Sequence, residues 1–261
     1  MILFISLPLD EIHRRIAAGD ADDLSDLADC GDSLRPSIET TLHAIFPHAA
    51  VVHVHSVNAI SWSVEESGRA ALDQRLHGMA WAWIPYQKPG LPLCKAVIDA
   101  QHASDQRLDL VVLANHGLVV AAENCADVEA LLEEVEVHLA REERSPPPWN
   151  RRKLDAVNDA AWCIPEETEI HAIATDGTTL QVARQGVLYP DHVVFLGRSC
   201  PEIEPGETVS GACQRIAADT GSEPRYLVIE GAGVLVSPEL TAGASAMLWT
   251  MSLVGRRLGN A

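Results

Sequence analysis

Residues 50–58 read AVVHVHSVN, a run with the composition of a buried strand that nevertheless carries two imidazoles, His53 and His55. Successive side chains of a strand point to opposite faces, so positions i and i+2 share one. His53 and His55 are therefore expected to project from one face, with Val52 and Val54 packed on the other. Such a pair suits a shared ligand, although two polar residues on a solvated face leave the same pattern. A second histidine-bearing stretch, LDLVVLANHGLVVAA over 108–122, reads as two apolar runs broken at Asn115-His116-Gly117. That is the mark of two strands joined by a tight turn.

Outward from these strands the pattern is mixed. LDEIHRRIAAGD (9–20) has helical spacing through Leu9, Ile12 and Ile16 and stops at Gly19. The acidic DADDLSDLADCGDSLRP (20–36) reads as a loop or short helix. SIETTLHAIF (37–46) reads as a helix with Ser37 as N-cap, closed by Pro47. A short strand is expected at ISWSV (60–64), a helix at RAALDQRLHG (69–78), a strand at MAWAWIPY (79–86) and a helix at LPLCKAVIDAQHAS (91–104). ADVEALLEEVEVHLAREER (126–144) places Val128, Leu131, Leu132, Val135 and Leu139 on one helical stripe.

RSPPPWNRR (144–152) marks a boundary, because three successive prolines cannot continue a helix. Residues 1–146 are expected to form the core, and 147–261 an extension that completes the sheet or makes a small second domain. In that extension TTLQVAR (178–184), HVVFLG (192–197), RYLVIEG (225–231) and GVLVS (233–237) read as strands, and TAGASAMLWTMSLVGRRL (241–258) as a closing helix. No internal repeat is expected. Without regular βαβ alternation, a mixed or antiparallel sheet covered by helices is the better expectation.

The whole chain narrows the function classes. Its 261 residues suit one large domain, or one with a smaller appendage, and its formal net charge of −18 argues against nucleic-acid binding. No stretch approaches the ~18 apolar residues of a membrane span. The start, MILFISLPLDEIHRR, lacks the basic leader of a signal peptide. Six scattered cysteines with no C-x-x-C pair suggest reduced thiols and a cytoplasmic protein.

Three histidines sit where a metal could use them: His53 and His55 on a strand face, and His116 at the end of another strand. Neutral imidazole is a common ligand for borderline divalent metals, and three protein ligands with an open position describe a catalytic zinc site. Glu39 lies just before the HxH strand, where a helix–strand hairpin could return it to the metal.

PSIETTLHAIFPHAAVVHVHS (36–56), WIPYQKPG (83–90) and LVVLANHGLVVAAENCADVEALLEEVE (110–136) occur in that order. Together they resemble the class II aldolase/adducin family over roughly residues 35–140. The longer chain is similar to the aldolase portion of bifunctional rhamnulose-phosphate aldolase/dehydrogenase proteins.

The resemblance implies an α/β (α+β-like) fold, a three-layer αβα sandwich with a mixed, largely antiparallel central sheet. It implies a divalent metal, zinc by family habit, on His53, His55 and His116. Glu39 matches the family's acid, Ser37 a substrate-contact serine, and Tyr86 a tyrosine that donates a proton across a subunit boundary in some members. A homo-oligomer, a tetramer by family habit, and a small carbohydrate-like substrate follow as expectations.

The implied activity is a metal-dependent aldehyde-lyase that passes through an enediolate. A carboxylate beside the metal can take a proton there and a phenol can supply one. The alternatives are an epimerase, dehydratase or decarboxylase of the same family, or a non-catalytic adducin-like assembly module. The family's phosphate-holding loop, usual upstream of the acid, has no match in the residues before Ser37.

Overall fold

The computed structural model describes residues 5–28 and 34–259. Residues 1–4, 29–33 and 260–261 lie outside the described residues, the second group holding Cys30 and part of the acidic stretch. The chain divides into two compact units. One takes the chain up to Ala59 and again over Glu66–Leu139; the other takes Ile60–Glu65 and the chain from Ala140 onward.

The first unit opens with α1 (Leu9–Ala18), which buries Ile12 and Ile16 and stops at Gly19 in the left-handed conformation, φ 74°. Then come α2 (Thr40–Ala44), β1 (Ala50–Val54), α3 (Val57–Ser63), through which the division between units runs, α4 (Gly68–Arg75) and β2 (Trp81–Ile84). α5 (Leu91–Ala103), β3 (Leu110–Leu113), β4 (Gly117–Ala122) and α6 (Cys125–Leu139) complete it.

The sheet has the order β1-β4-β3-β2, with β2 and β3 parallel and the other two pairings antiparallel. β1, β2 and β3 therefore run one way and β4 the other. The ends of the first three and the start of β4 meet at one end of the sheet. On one face, Leu42 and Phe46 from around α2 and Leu93 and Val97 of α5 close over Ile84, Val111, Leu113, Val119 and Ala121. The opposite face meets α6, which buries Val128, Val135 and Leu139. This is the expected sandwich with a mixed, largely antiparallel sheet.

Register assigns the histidine pair to a face. His53 lies opposite Val119 and Val51 opposite Ala121, so His53 and His55 extend the row that faces the α2–α5 core. The expected alternation holds, but the valine face is not tightly packed. β1 is an edge strand, and Val52 remains 36% exposed.

Four further expectations need correcting. ISWSV belongs to α3, because the Ser56 hydroxyl accepts the Ala59 N–H (3.1 Å) and so caps a helix start. The helix expected at 37–46 is only Thr40–Ala44, with Glu39 rather than Ser37 at its N-cap position.

In the second unit, TTLQVAR and HVVFLG are helices. α7 (Arg151–Val157), a 3-10 turn (Thr168–His171) and α8 (Ala172–Thr175) precede α9 (Gly177–Gln185) and α10 (Pro190–Leu196). α9 begins where Asp176 accepts from the Thr179 N–H (2.8 Å), and it buries Thr179, Leu180 and Ala183 at helical spacing. Pro190 sits in the first turn of α10, where a missing N–H costs nothing, and His192 and Leu196 are buried one turn apart.

α11 (Val209–Thr220), β5 (Tyr226–Ile229), β6 (Gly233–Val236) and α12 (Ala242–Gly255) complete the second unit, β5 and β6 pairing in a sheet of their own. Among the described residues no helix is long and apolar enough to cross a membrane, and Cys94, Cys125, Cys163, Cys200 and Cys213 are free thiols.

Gly117 admits no side chain. A Cβ there would stand 2.3 Å from the Val54 carbonyl oxygen, a backbone atom that cannot move without parting β1 from β4. Gly117→Ala is expected to cost about 1–3 kcal/mol in urea denaturation. Gly177→Ala, with open space around it, should stay within about 0.5 kcal/mol of the parent.

His171 yields a second prediction. Burial pushes its pKa from 6.5 down to about 4, and its Nδ1 accepts the Val234 N–H at 3.0 Å. Between those values the unfolded chain binds the proton and the folded chain does not, so stability falls as pH drops from 6.5 towards 4. The full loss is about 3 kcal/mol. Urea midpoints across that range should show it, and His171→Gln should reduce the dependence without abolishing it, because burial holds the His53 pKa at about 4 too.

Candidate metal centre

The end of the sheet where β1, β3 and β4 meet gathers the imidazoles. His53 is the fourth residue of β1, His55 follows the strand, and His116 closes the turn before β4. Asn115 makes that turn possible by taking a left-handed conformation, φ 52°, which asparagine tolerates better than most residues. Gly117 then lets the turn close against Val54 and the Cα of His55.

The three rings stand with centroids 5.0 Å (His53–His55), 4.9 Å (His53–His116) and 5.1 Å (His55–His116) apart. One donor atom from each lies within 4.8 Å of the others, the only such group of metal-donor side chains found among the described residues. The side chains of His53 and His116 are 6% and 4% exposed.

His53 is oriented from behind. Its Nδ1 donates to the Leu118 carbonyl at 2.8 Å, which fixes the proton on Nδ1 and leaves the Nε2 lone pair unprotonated. That Nε2 is buried and has no hydrogen-bond partner among the described residues. A buried orphan acceptor is costly unless something occupies it. Burial, the largest effect, pushes the His53 pKa down to about 4 despite the opposing pull of Glu39. The ring is therefore neutral at physiological pH, the state a metal ligand requires.

Glu39 faces the same group, Oε1 lying 3.0 Å from His116 Nε2 and Oε2 3.5 Å from His53 Nε2. Burial raises its pKa, but the His116 hydrogen bond and the neighbouring imidazoles outweigh this and hold it below the usual carboxylate value. Ser37 acts through the backbone: its Oγ accepts the Glu39 N–H at 3.2 Å, anchoring the residue that carries the carboxylate.

The structure thus brings together His53, His55, His116 and Glu39, with Ser37 beside the last. It does not bring Tyr86 into that group. Tyr86 follows β2, at the sheet edge opposite β1, so roughly 14 Å of sheet separates the two strands, and its side chain is 53% exposed. The sequence reading missed the Leu118 carbonyl and Gly117. The glycine beside His116 was the available signal, whereas no sequence feature marks a backbone acceptor. Three imidazoles and an adjacent carboxylate are a donor set that can hold a divalent metal ion.

Residues 13–141 match the Class II Aldolase and Adducin N-terminal domain. Over 126 residues the chain is 32% identical to the uncharacterized oxidoreductase YuxG of Bacillus subtilis (strain 168). That match takes in 46% of this chain but only 18% of the relative, so the chain spans a small part of that protein's length. Among solved structures, the N-terminal class II aldolase domain of a conserved protein from Thermoplasma acidophilum aligns at 20% identity and a TM-score of 0.46. It covers 52% of this chain and 64% of that one.

A ligand that binds only the folded state stabilises it by about 2.7 kcal/mol at a hundred times its Kd. Zinc added to metal-free protein should therefore raise the melting temperature by several degrees. His53→Ala and His116→Ala should abolish that rise, and His77→Ala, at an exposed position, should retain it. An equal rise in His53→Ala would refute the centre.

Proposed function

Because its segment 13–141 belongs to the class II aldolase/adducin family, we propose that this chain is a metal-dependent aldehyde-lyase that makes or breaks a carbon–carbon bond in a small carbohydrate or hydroxy-ketone. The observation that carries this reading is the convergence of His53, His55 and His116 with an ionised carboxylate, Glu39, 3.0 Å from one of them. A purely structural relative has no need of three histidine donors gathered within 4.8 Å of one another beside a carboxylate. The YuxG description contributes nothing here, since the match covers 18% of that protein.

In this reading His53, His55 and His116 hold the ion, zinc by the nature of the donors. The bound ion supplies Lewis-acid stabilisation of the negative charge that develops on substrate oxygen. Glu39, ionised because its imidazole neighbours outweigh its burial, takes the proton from the carbon beside the ketone carbonyl. As the new bond forms, an acid must give a proton to the aldehyde oxygen. Tyr86 fills that role from a neighbouring copy, which fits its exposure and its position away from its own Glu39. Cleavage runs the same two transfers backwards. Ser37 holds the Glu39 backbone and offers its hydroxyl at the rim as a substrate contact. A homo-oligomer with sites shared between copies is part of the proposal.

The test is a screen of metal-loaded protein against ketose phosphates and free ketoses, with released aldehyde as the readout. Glu39→Gln should lower turnover by about 10²–10⁴-fold, the usual contribution of a general base. Tyr86→Phe should lower turnover while leaving the zinc-induced rise in melting temperature unchanged. Failure of the loaded protein to cleave any member of the panel, or full activity in Glu39→Gln, would overturn the reading.

A further inference from the structure

The second unit pairs the two strands of its sheet, and one bridging segment on each side of them, in the same order and directions as the four strands of the first. Its hairpin β5–β6 pairs Ile229 with Gly233, as β3–β4 pairs Leu113 with Gly117, each across a three-residue turn. The middle residue of each turn is left-handed, Asn115 at φ 52° and Gly231 at φ 66°. Outside β6, Cys163 bridges antiparallel to Val236, through backbone hydrogen bonds of 2.9 and 2.8 Å. That is where β1 lies on β4. Outside β5, Glu202 bridges parallel to Val228, as β2 lies on β3.

Helices fill the same intervals. α7 precedes the Cys163 segment as α2 precedes β1; α11 leads into β5 as α5 leads into β3; α12 follows β6 as α6 follows β4. A hairpin alone is common. Four segments in one order and one set of directions, with helices in matching places, are a fold. The likeness lies in backbone pairing and leaves no repeat in the sequence. Little beyond the alternation of apolar residues survives between LVVLANHGLVV and YLVIEGAGVLV.

The register then shows what became of the centre. Val236 stands three residues beyond Gly233 as Val120 stands three beyond Gly117, and their partners are Cys163 and Val52. Ile164 thus takes the place of His53, Glu166 that of His55, and Ala232 that of His116. Asn150 caps α7 at the place of Glu39, and its N–H donates to the Ala232 carbonyl at 2.8 Å. Ala232 is fully buried, packed in one apolar cluster with Leu154 and Ile164. Pro165, at the place of Val54, has no N–H to donate across the pairing, and the Val234 N–H is taken by Nδ1 of His171 (3.0 Å).

We infer that the chain from Ala140 onward is a second copy of the aldolase-type fold whose metal centre has been replaced by Asn150, Ile164, Glu166 and Ala232, so that each chain carries one metal centre and one non-catalytic copy. This goes beyond the proposed activity, and the pairing part does not depend on it.

Two measurements on the full chain test it. Amide hydrogen exchange should find Cys163, Ile203, Val228 and Val236 protected to the same degree as the β1–β4 amides. Zinc titration followed by elemental analysis should give one ion per chain, and none in the His53→Ala/His116→Ala double variant. Rapid exchange at Cys163 and Ile203 would refute the second copy. Two zinc ions per chain, or one retained in the double variant, would refute its metal-free character. If protection is found and no zinc binds at all, the second copy stands and the proposed lyase falls.

Discussion

The contact on which the centre depends is between two backbones, at the point where β1 leaves the sheet. Gly117 approaches the Val54 carbonyl so closely that any Cβ would overlap it. That approach carries His116, one residue before, into reach of His53 and His55. It also sets Leu118 in register to accept from His53 Nδ1. The core below transmits the constraint. The row formed by Val51, His53, Val119 and Ala121 is fixed by packing against Leu42 and Phe46, and slipping β1 by one residue would turn both imidazoles to the far face.

Burial sets the chemical state of what is gathered there. Removing water disfavours charge on His53 and on Glu39 alike. For the imidazole nothing outweighs this, and the ring stays neutral. For the carboxylate the imidazoles on two sides outweigh it, and the acid stays ionised. A neutral His53 beside an ionised Glu39 is what one desolvated pocket yields when its groups differ in their neighbours. Ser37 contributes by holding the backbone of Glu39 at the head of a helix of only five residues.

The second unit shows how much of such a fold survives without its chemistry. Strand pairing is backbone hydrogen bonding and asks little of side chains beyond alternation, so the hairpin and its left-handed turn persist. Ligand positions ask for specific side chains, and there they are Ile164 and Ala232. The same register that aligns donors in one unit aligns aliphatic groups in the other.

Amino-acid order by itself determined which residue types stand where a metal centre could form. The H-x-H spacing of a strand, the Asn-His-Gly turn and the apolar stripe of α6 are local patterns, and local geometry is enough to read them. The first unit's strands were legible for that reason, and so were three imidazoles with a candidate carboxylate. The stretches at 60–64, 178–184 and 192–197 were not, because short β-branched runs suit either strand or helix, and a cap such as Ser56 or Asp176 decides. Only the tertiary structure decided that β1 is an edge strand with its histidines towards the core, that a backbone carbonyl orients His53, and that Tyr86 stands apart. Only it revealed the repeated pairing of the second unit. These are relations between residues distant along the chain, set by packing and by hydrogen bonds from backbone groups that every residue possesses, and so no single side chain announces them.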